Sequence, residues 1–210
     1  MTSTKITNDL VNQIAIDTKR EGDTDALSTI KKNIKKVMLD KAANDITPFS
    51  FSHNDSTKQQ VEAARLRVKL KPGYGVSVDR GYLRHYGVYI GDGKIVELQF
   101  AEDGMWKKIN KSRIVDLPTF LKQQKASDTE IIKPKSGNVQ DIIKRAIKVT
   151  ELKYVPYHLI YNNCEHLMNE ILTGEHKSHQ VDEIVPAKIL KNKYSHYKKF
   201  YRDVFESQRD

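Results

Sequence analysis

Apolar and polar positions divide the chain into three regions. Residues 1–66 read as helical: Leu27, Ile30, Ile34, Val37 and Met38 recur every three or four positions behind a capping Asp25. Lys31, Lys32, Lys35 and Lys36 cover the rest of that helix, and a weaker repeat of Leu10, Val11 and Ile14 precedes it. The stretch from Asn44 to Thr57, with Pro48 and many small polar residues, reads as a linker. Residues 67–175 change period. A turn at Lys71-Pro72-Gly73-Tyr74-Gly75 leads to an alternation at Val76 and Val78. His85 to Ile90 and Lys94 to Phe100 are strand candidates joined by Gly91-Asp92-Gly93, a good hairpin signal. Asn138 is placed to cap a helix carrying Ile142, Ile143, Ala146 and Ile147. Tyr157 to Ile160 suggests a short strand. Asn163 then caps a helix with Leu167, Met168, Ile171 and Leu172 inward and Gly174 at its end. Residues 176–210 form a basic helical tail in which Leu190, Tyr194, Tyr197, Tyr201 and Val204 share a face.

The hairpin pattern predicts how its side chains divide. With a three-residue loop at 91–93, Ile90 pairs with Lys94. One face then carries Tyr86, Val88, Val96 and Leu98, which is core. The other carries His85, Gly87, Tyr89, Ile95, Glu97 and Gln99. Gln99 lies opposite His85 and Glu97 lies diagonal to it. A two-residue loop would break this register.

Length and charge narrow the classes. The chain has 210 residues, enough for one domain with extensions or two small ones. One cysteine excludes a disulfide framework and a four-cysteine zinc site. There is no long apolar run and no apolar signal-peptide core after Met1, so a cytoplasmic chain, at most peripheral on membranes, is expected. The net charge of +9 favours acidic partners without choosing among them; the basic C-terminal helix reads first as docked by its tyrosines with a solvated basic face, and as the alternative lies on an anionic membrane surface. A nucleic-acid role is disfavoured because none of the familiar binding signatures is present.

The candidate chemistry centres on Cys164. It opens a helix, where first-turn N–H groups favour a thiolate and offer donors to an oxyanion. A thiol nucleophile needs a base, and histidine is the usual one near neutral pH. His166 lies two residues along the same helix and points away. His53 falls in the linker, and His176, His179 and His196 have polar neighbours that suggest exposure. His85 opens a strand, a rigid mount, with Glu97 or Gln99 beside it as third residue. Arg80 and Tyr82 are candidates for supporting contacts to a headgroup or oxyanion, or simply residues of the cleft rim. Trp106 is read as a core cap after the hairpin. No cofactor is called for, and Cys164 and His166 cannot both aim at one metal ion.

At these residues the chain resembles the lecithin:retinol acyltransferase-like family, which includes the HRAS-like suppressor phospholipase/acyltransferases. The likeness lies in two blocks, Arg80-Gly81-Tyr82-Leu83-Arg84-His85-Tyr86-Gly87-Val88-Tyr89-Ile90-Gly91-Asp92-Gly93-Lys94-Ile95-Val96-Glu97 and Asn163-Cys164-Glu165-His166-Leu167-Met168-Asn169-Glu170-Ile171-Leu172-Thr173-Gly174. The resemblance spans residues 67–175. It implies an α+β, circularly permuted papain-like (NlpC-type) fold, an antiparallel sheet packed on the helix that bears the nucleophile. It implies thiol-dependent acyl transfer, with Cys164 attacking a phospholipid ester and His85 moving the proton. The family commonly has a second histidine where this chain has Glu97. Many relatives also end in an apolar anchor, whereas this chain ends in a charged helix. Two other readings remain open: a papain-like peptidase or amidase acting on a peptide, peptidoglycan or protein amide, and a non-enzymatic basic binding module.

Overall fold

The computed structural model describes residues 55–80, 83–99, 111–122, 124–135 and 137–207. The helices expected within residues 10–38, and Tyr82, His53, Phe100 and Trp106, lie outside the described residues, as do the side chains of residues 55, 56, 99, 188, 189 and 192. Helix α1, Asp55–Arg67, begins inside the stretch read as a linker. Five strands follow: β1 Gly75–Asp79, β2 Arg84–Gly91, β3 Lys94–Gln99, β4 Lys111–Asp116 and β5 Glu130–Ile132. They form one antiparallel sheet in the order β4-β3-β2-β1-β5. The helices α2 Leu117–Leu121, α3 Val139–Glu151, α4 Cys164–Thr173, α5 His179–Asp182 and α6 Ala187–Glu206 complete an α+β architecture.

The loop of the β2–β3 hairpin is shorter than expected. Gly91 pairs with Lys94, leaving two turn residues, Asp92 and Gly93, at φ 48° and 72°. Positive φ at both central positions suits the right-handed twist of the strands. A two-residue turn alone would slide the strands out of the expected register. A bulge between Tyr89 and Gly91 takes up the extra residue, so Tyr89 still pairs with Ile95 and Gly87 with Glu97. The division of faces therefore stands.

Both faces of the sheet are covered. Tyr86, Val88, Val96 and Leu98 pack against α3, α4 and Tyr201 of α6. Tyr89, Ile95, Val76 and Val78 pack on the other side against Leu66 of α1 and Phe120 of α2. Of the apolar positions expected along α3, Ile142 and Ala146 are buried, but Ile147 is exposed and Val149 takes the inward place. The hundred-degree step per residue puts 142, 146 and 149 on one stripe and leaves 147 off it. Tyr157–Ile160 is not a strand. It enters a turn closed by an isolated bridge between His158 and Asn162, with His158 Nδ1 accepting from the N–H groups of Ile160 and Tyr161.

Gly87 sits in a tight space between the neighbouring strand and α2. A Cβ there would lie 2.5 Å from Ile95 Cγ2, 2.9 Å from the Val96 carbonyl oxygen and 3.0 Å from Phe120. The carbonyl belongs to the sheet ladder and cannot step aside. Gly87→Ala should therefore cost about 1–3 kcal/mol, read as a lower urea midpoint at unchanged slope.

Candidate active site

The helix that carries Cys164 is built by its own flanking residues. Asn163 caps α4, its side-chain oxygen accepting from the N–H groups of Glu165 and His166 at 3.0 and 3.2 Å. His166 Nδ1 returns a bond from the Asn163 N–H at 3.2 Å, completing a capping box. Burial and the neighbouring His176 and His158 hold the His166 pKa well below its ordinary value, so this ring is neutral. At the far end Gly174 adopts φ 73° and its N–H donates to the Glu170 carbonyl.

Glu165 ties this helix to the strand that carries His85. It is buried, and its carboxylate accepts from Ser178 Oγ and from the N–H groups of His179 and Gln180 at the start of α5. Gln180 in turn pairs edge-on with the backbone of Arg84, accepting from its N–H at 3.1 Å and donating to its carbonyl at 3.4 Å. Arg84 is the residue before His85. The short α5 is thus a clasp holding the start of β2 beside the N-terminus of α4.

This clasp brings Cys164 and His85 together. Cys164 Sγ lies 3.9 Å from the carbonyl oxygen of Arg84, the residue before His85, and near enough to the His85 imidazole to raise its pKa. The other side of the ring is occupied: His85 Nε2 lies 2.7 Å from Glu97 Oε2. Phe120 packs on the ring with centroids 5.4 Å apart. Arg80 donates to the carbonyl oxygens of Phe120 and Leu121, so it anchors the end of α2 behind His85. Gln99 ends β3 opposite Lys111.

Glu97 has a second partner that the sequence reading did not find. Arg113 stands directly across from it on β4, with Nε and Nη2 at 2.8 and 2.7 Å from Oε1. One carboxylate oxygen therefore serves His85 and the other serves Arg113. Burial opposes the charged carboxylate, yet these two cations outweigh it and hold its pKa below the ordinary value. Burial likewise opposes a charged His85. Its bonds to Cys164 and Glu97, and the charges on both, outweigh burial and push it up to about 9. Tyr157 lies close by; burial, and then the negative charge of a Cys164 thiolate, push its phenol far up, so it stays a neutral donor.

Of the other histidines, His179 and His196 are exposed, but His176 is buried, contrary to the expectation from its polar neighbours. Its Nδ1 lies 3.1 Å from Glu170 and its Nε2 2.7 Å from the Tyr161 carbonyl, and it stacks on His166. Its ring satisfies both of its nitrogens inside the core and has none left for Cys164.

A cysteine at a helix N-terminus, a histidine beside it and a carboxylate behind the histidine are the parts of a thiol-catalysis set. The family model described as Lecithin retinol acyltransferase matches residues 68–177, a span that contains all three. The chain belongs to the lecithin retinol acyltransferase family. Human phospholipase A and acyltransferase 3 is 29% identical over 129 residues, covering 56% of this chain and 79% of that relative. Rat phospholipase A and acyltransferase 1 is 24% identical over 156 residues, covering 69% of this chain and 83% of the relative. Human lecithin retinol acyltransferase is 26% identical over 132 residues, covering 51% of this chain and 56% of the relative.

The arrangement makes a direct pH prediction. His85 must be an imidazolium to give a proton to a leaving group. Its raised pKa keeps it so from neutral pH until the pH rises through about 9. Glu97→Gln removes the charge that favours the imidazolium and leaves Arg113 without its carboxylate. The alkaline limb of the kcat/KM profile should then fall by about one pH unit or more. A profile unmoved by Glu97→Gln would show that the carboxylate does not act on His85.

Proposed function

We propose that this protein is a thiol acyl-transfer enzyme that cleaves phospholipid esters through a thioester on Cys164. The observation that carries the proposal is the join of Cys164, His85 and the Glu97–Arg113 pair in a chain of this family. Glu97 takes the Nε2 proton as hydrogen-bond acceptor and leaves Nδ1 for the thiol. With His85 held as an imidazolium, the thiol proton already rests on Nδ1, and the paired Cys164 thiolate attacks the ester carbonyl carbon. Asn163 already occupies the N–H groups of Glu165 and His166. Of the first-turn donors, the Cys164 N–H is then the one that faces the developing oxyanion. The tetrahedral centre collapses with cleavage of the carbon–oxygen bond, and the His85 proton goes to the departing alkoxide, a lysophospholipid. Water, a lipid amine or an alcohol, deprotonated by His85, then attacks the thioester and frees the thiol.

The fold supports the same reading. His85 precedes Cys164 in the chain, and the sheet packs on the nucleophile helix, as a circularly permuted papain-like enzyme requires. We take residues 67–175 as the catalytic domain, flanked by a helical extension over 1–66 and a basic helical segment over 176–210.

The test is incubation with phosphatidylcholine and phosphatidylethanolamine vesicles, with lipid products separated by mass. Lysophospholipid should appear together with free fatty acid or an N-acylated amine lipid. Release of amine from a peptide or peptidoglycan panel, with no lysophospholipid, would overturn the lipid assignment and favour amide cleavage by the same dyad.

A further inference from the structure

The end of α4 opposite Cys164 opens on a second cleft. Ten helical steps run from Cys164 to Gly174, about 15 Å along the axis. Here α3 and α6 pack together and leave a cleft of about 580 Å³ lined from both sides by cations. Lys144, Arg145 and Lys148 come from α3, and Lys198 and Arg202 from α6. Each helix supplies a pair at i,i+4, so the two pairs stand on facing walls.

The charges there are not matched. Asp141, Glu170 and Glu206 also line the cleft, leaving an excess of two positive charges. Glu170 is already held by His176. The ion pairs of the described residues lie elsewhere, and none involves Lys144, Lys148, Lys198 or Arg202. On the α3 wall, Arg145 places its guanidinium 6.0 Å from the Phe205 ring centre, and its buried Nε has no hydrogen-bond partner among the described residues. A buried guanidinium N–H without an acceptor is costly, and phosphate oxygens are the acceptors that a planar fork fits best. The volume suits a small ligand.

We propose that this cleft binds a phosphate-bearing ligand, a phosphomonoester or polyphosphate group, at the end of the nucleophile helix away from Cys164. Arg145 and the two facing cation pairs hold it. The position favours a soluble phosphate over a lipid headgroup, because a membrane that presents an ester to Cys164 meets the opposite end of α4. The cleft and its cations stand apart from the acyl-transfer reading, and only the choice of a soluble phosphate over a headgroup rests on it. Such binding also gives Lys198 and Arg202 a role other than the anionic-membrane contact considered for the C-terminal helix.

The experiment titrates pyrophosphate into the full chain by calorimetry and floats the protein with vesicles of phosphatidylcholine alone or with phosphatidic acid. The proteins compared are wild type, Lys198→Ala/Arg202→Ala, and Lys69→Ala/Lys71→Ala. All four substituted side chains are exposed, and both double variants lose the same charge. Pyrophosphate should bind saturably, at least tenfold more weakly to Lys198→Ala/Arg202→Ala, and unchanged to the control. Binding only to phosphatidic acid vesicles, lost in the same variant alone, would support the site and assign it to a lipid headgroup. No binding of either probe, or equal loss in both double variants, would overturn the proposal.

Discussion

Cys164→Ala should leave a folded protein whose turnover has fallen on the order of 10⁴-fold or more, to background. The argument is chemical. The side chain supplies the only thiol in the chain, so no neighbouring cysteine can take its place. Without it there is no sulfur to attack the ester and none on which an acyl group can rest. The structural cost is small by comparison. Cys164 is 9% exposed and lies at the edge of the core, so loss of one sulfur removes about 1 kcal/mol of packing. The capping box uses Asn163 and His166 and does not need the thiol. Kinetics on phospholipid vesicles beside a urea melt of the same sample separates the two effects. Residual turnover within a factor of ten of wild type would remove Cys164 from the mechanism.

Tyr201→Ala should have the largest effect on stability, about 3–5 kcal/mol. Tyr201 is fully buried and joins the same core as Tyr86, Val88 and Leu167. Its ring lies near those of His176 and Phe205, with centroids 5.9 and 6.0 Å away. Its hydroxyl donates to Asn162 Oδ1 at 3.0 Å, and the Asn162 amide donates to the Pro156 carbonyl. Asn162 immediately precedes the cap of α4, so the C-terminal helix braces the turn that aims Cys164. Tyr201→Phe keeps the packing and should cost only about 1–3 kcal/mol, because it leaves a buried oxygen unpaired. Urea unfolding reads both. A loss below about 1 kcal/mol for Tyr201→Ala would mean that the helix does not belong to the core.

Where the sequence pattern was clean, local physics carried over. The alternation from Tyr86 to Ile90 and Ile95 to Leu98 placed His85 and Glu97 on one face, and that pairing did not need the tertiary structure. Asn163 and Gly174 are helix boundaries set by backbone capping, which operates within a few residues. The loop length was misjudged because a bulge leaves no composition signal. Gly91 joined the strand, and the register survived by compensation.

Arg113 was not legible for a related reason. On β4 the buried positions are Ser112 and Val115, three apart, while Ile114 is exposed, so the two-residue apolar alternation that marks a strand is broken there. Without that strand, nothing placed an arginine opposite Glu97. His176 escaped for want of long-range information. Its partners Glu170 and Tyr161 lie on the far side of a turn, and its sequence neighbours are polar. Gln180 acts through Arg84, 96 residues away, and no spacing rule reaches that far.

The central claim is that acyl groups pass through Cys164. Intact-protein mass spectrometry after brief mixing with phosphatidylcholine vesicles tests it most directly, with wild type, His85→Ala and Cys164→Ala side by side. The account predicts a fatty-acyl mass increment on wild type that neutral hydroxylamine removes, little of it on His85→Ala, and none on Cys164→Ala. Lysophospholipid release with no trapped increment on wild type, or the same increment on Cys164→Ala, would contradict it.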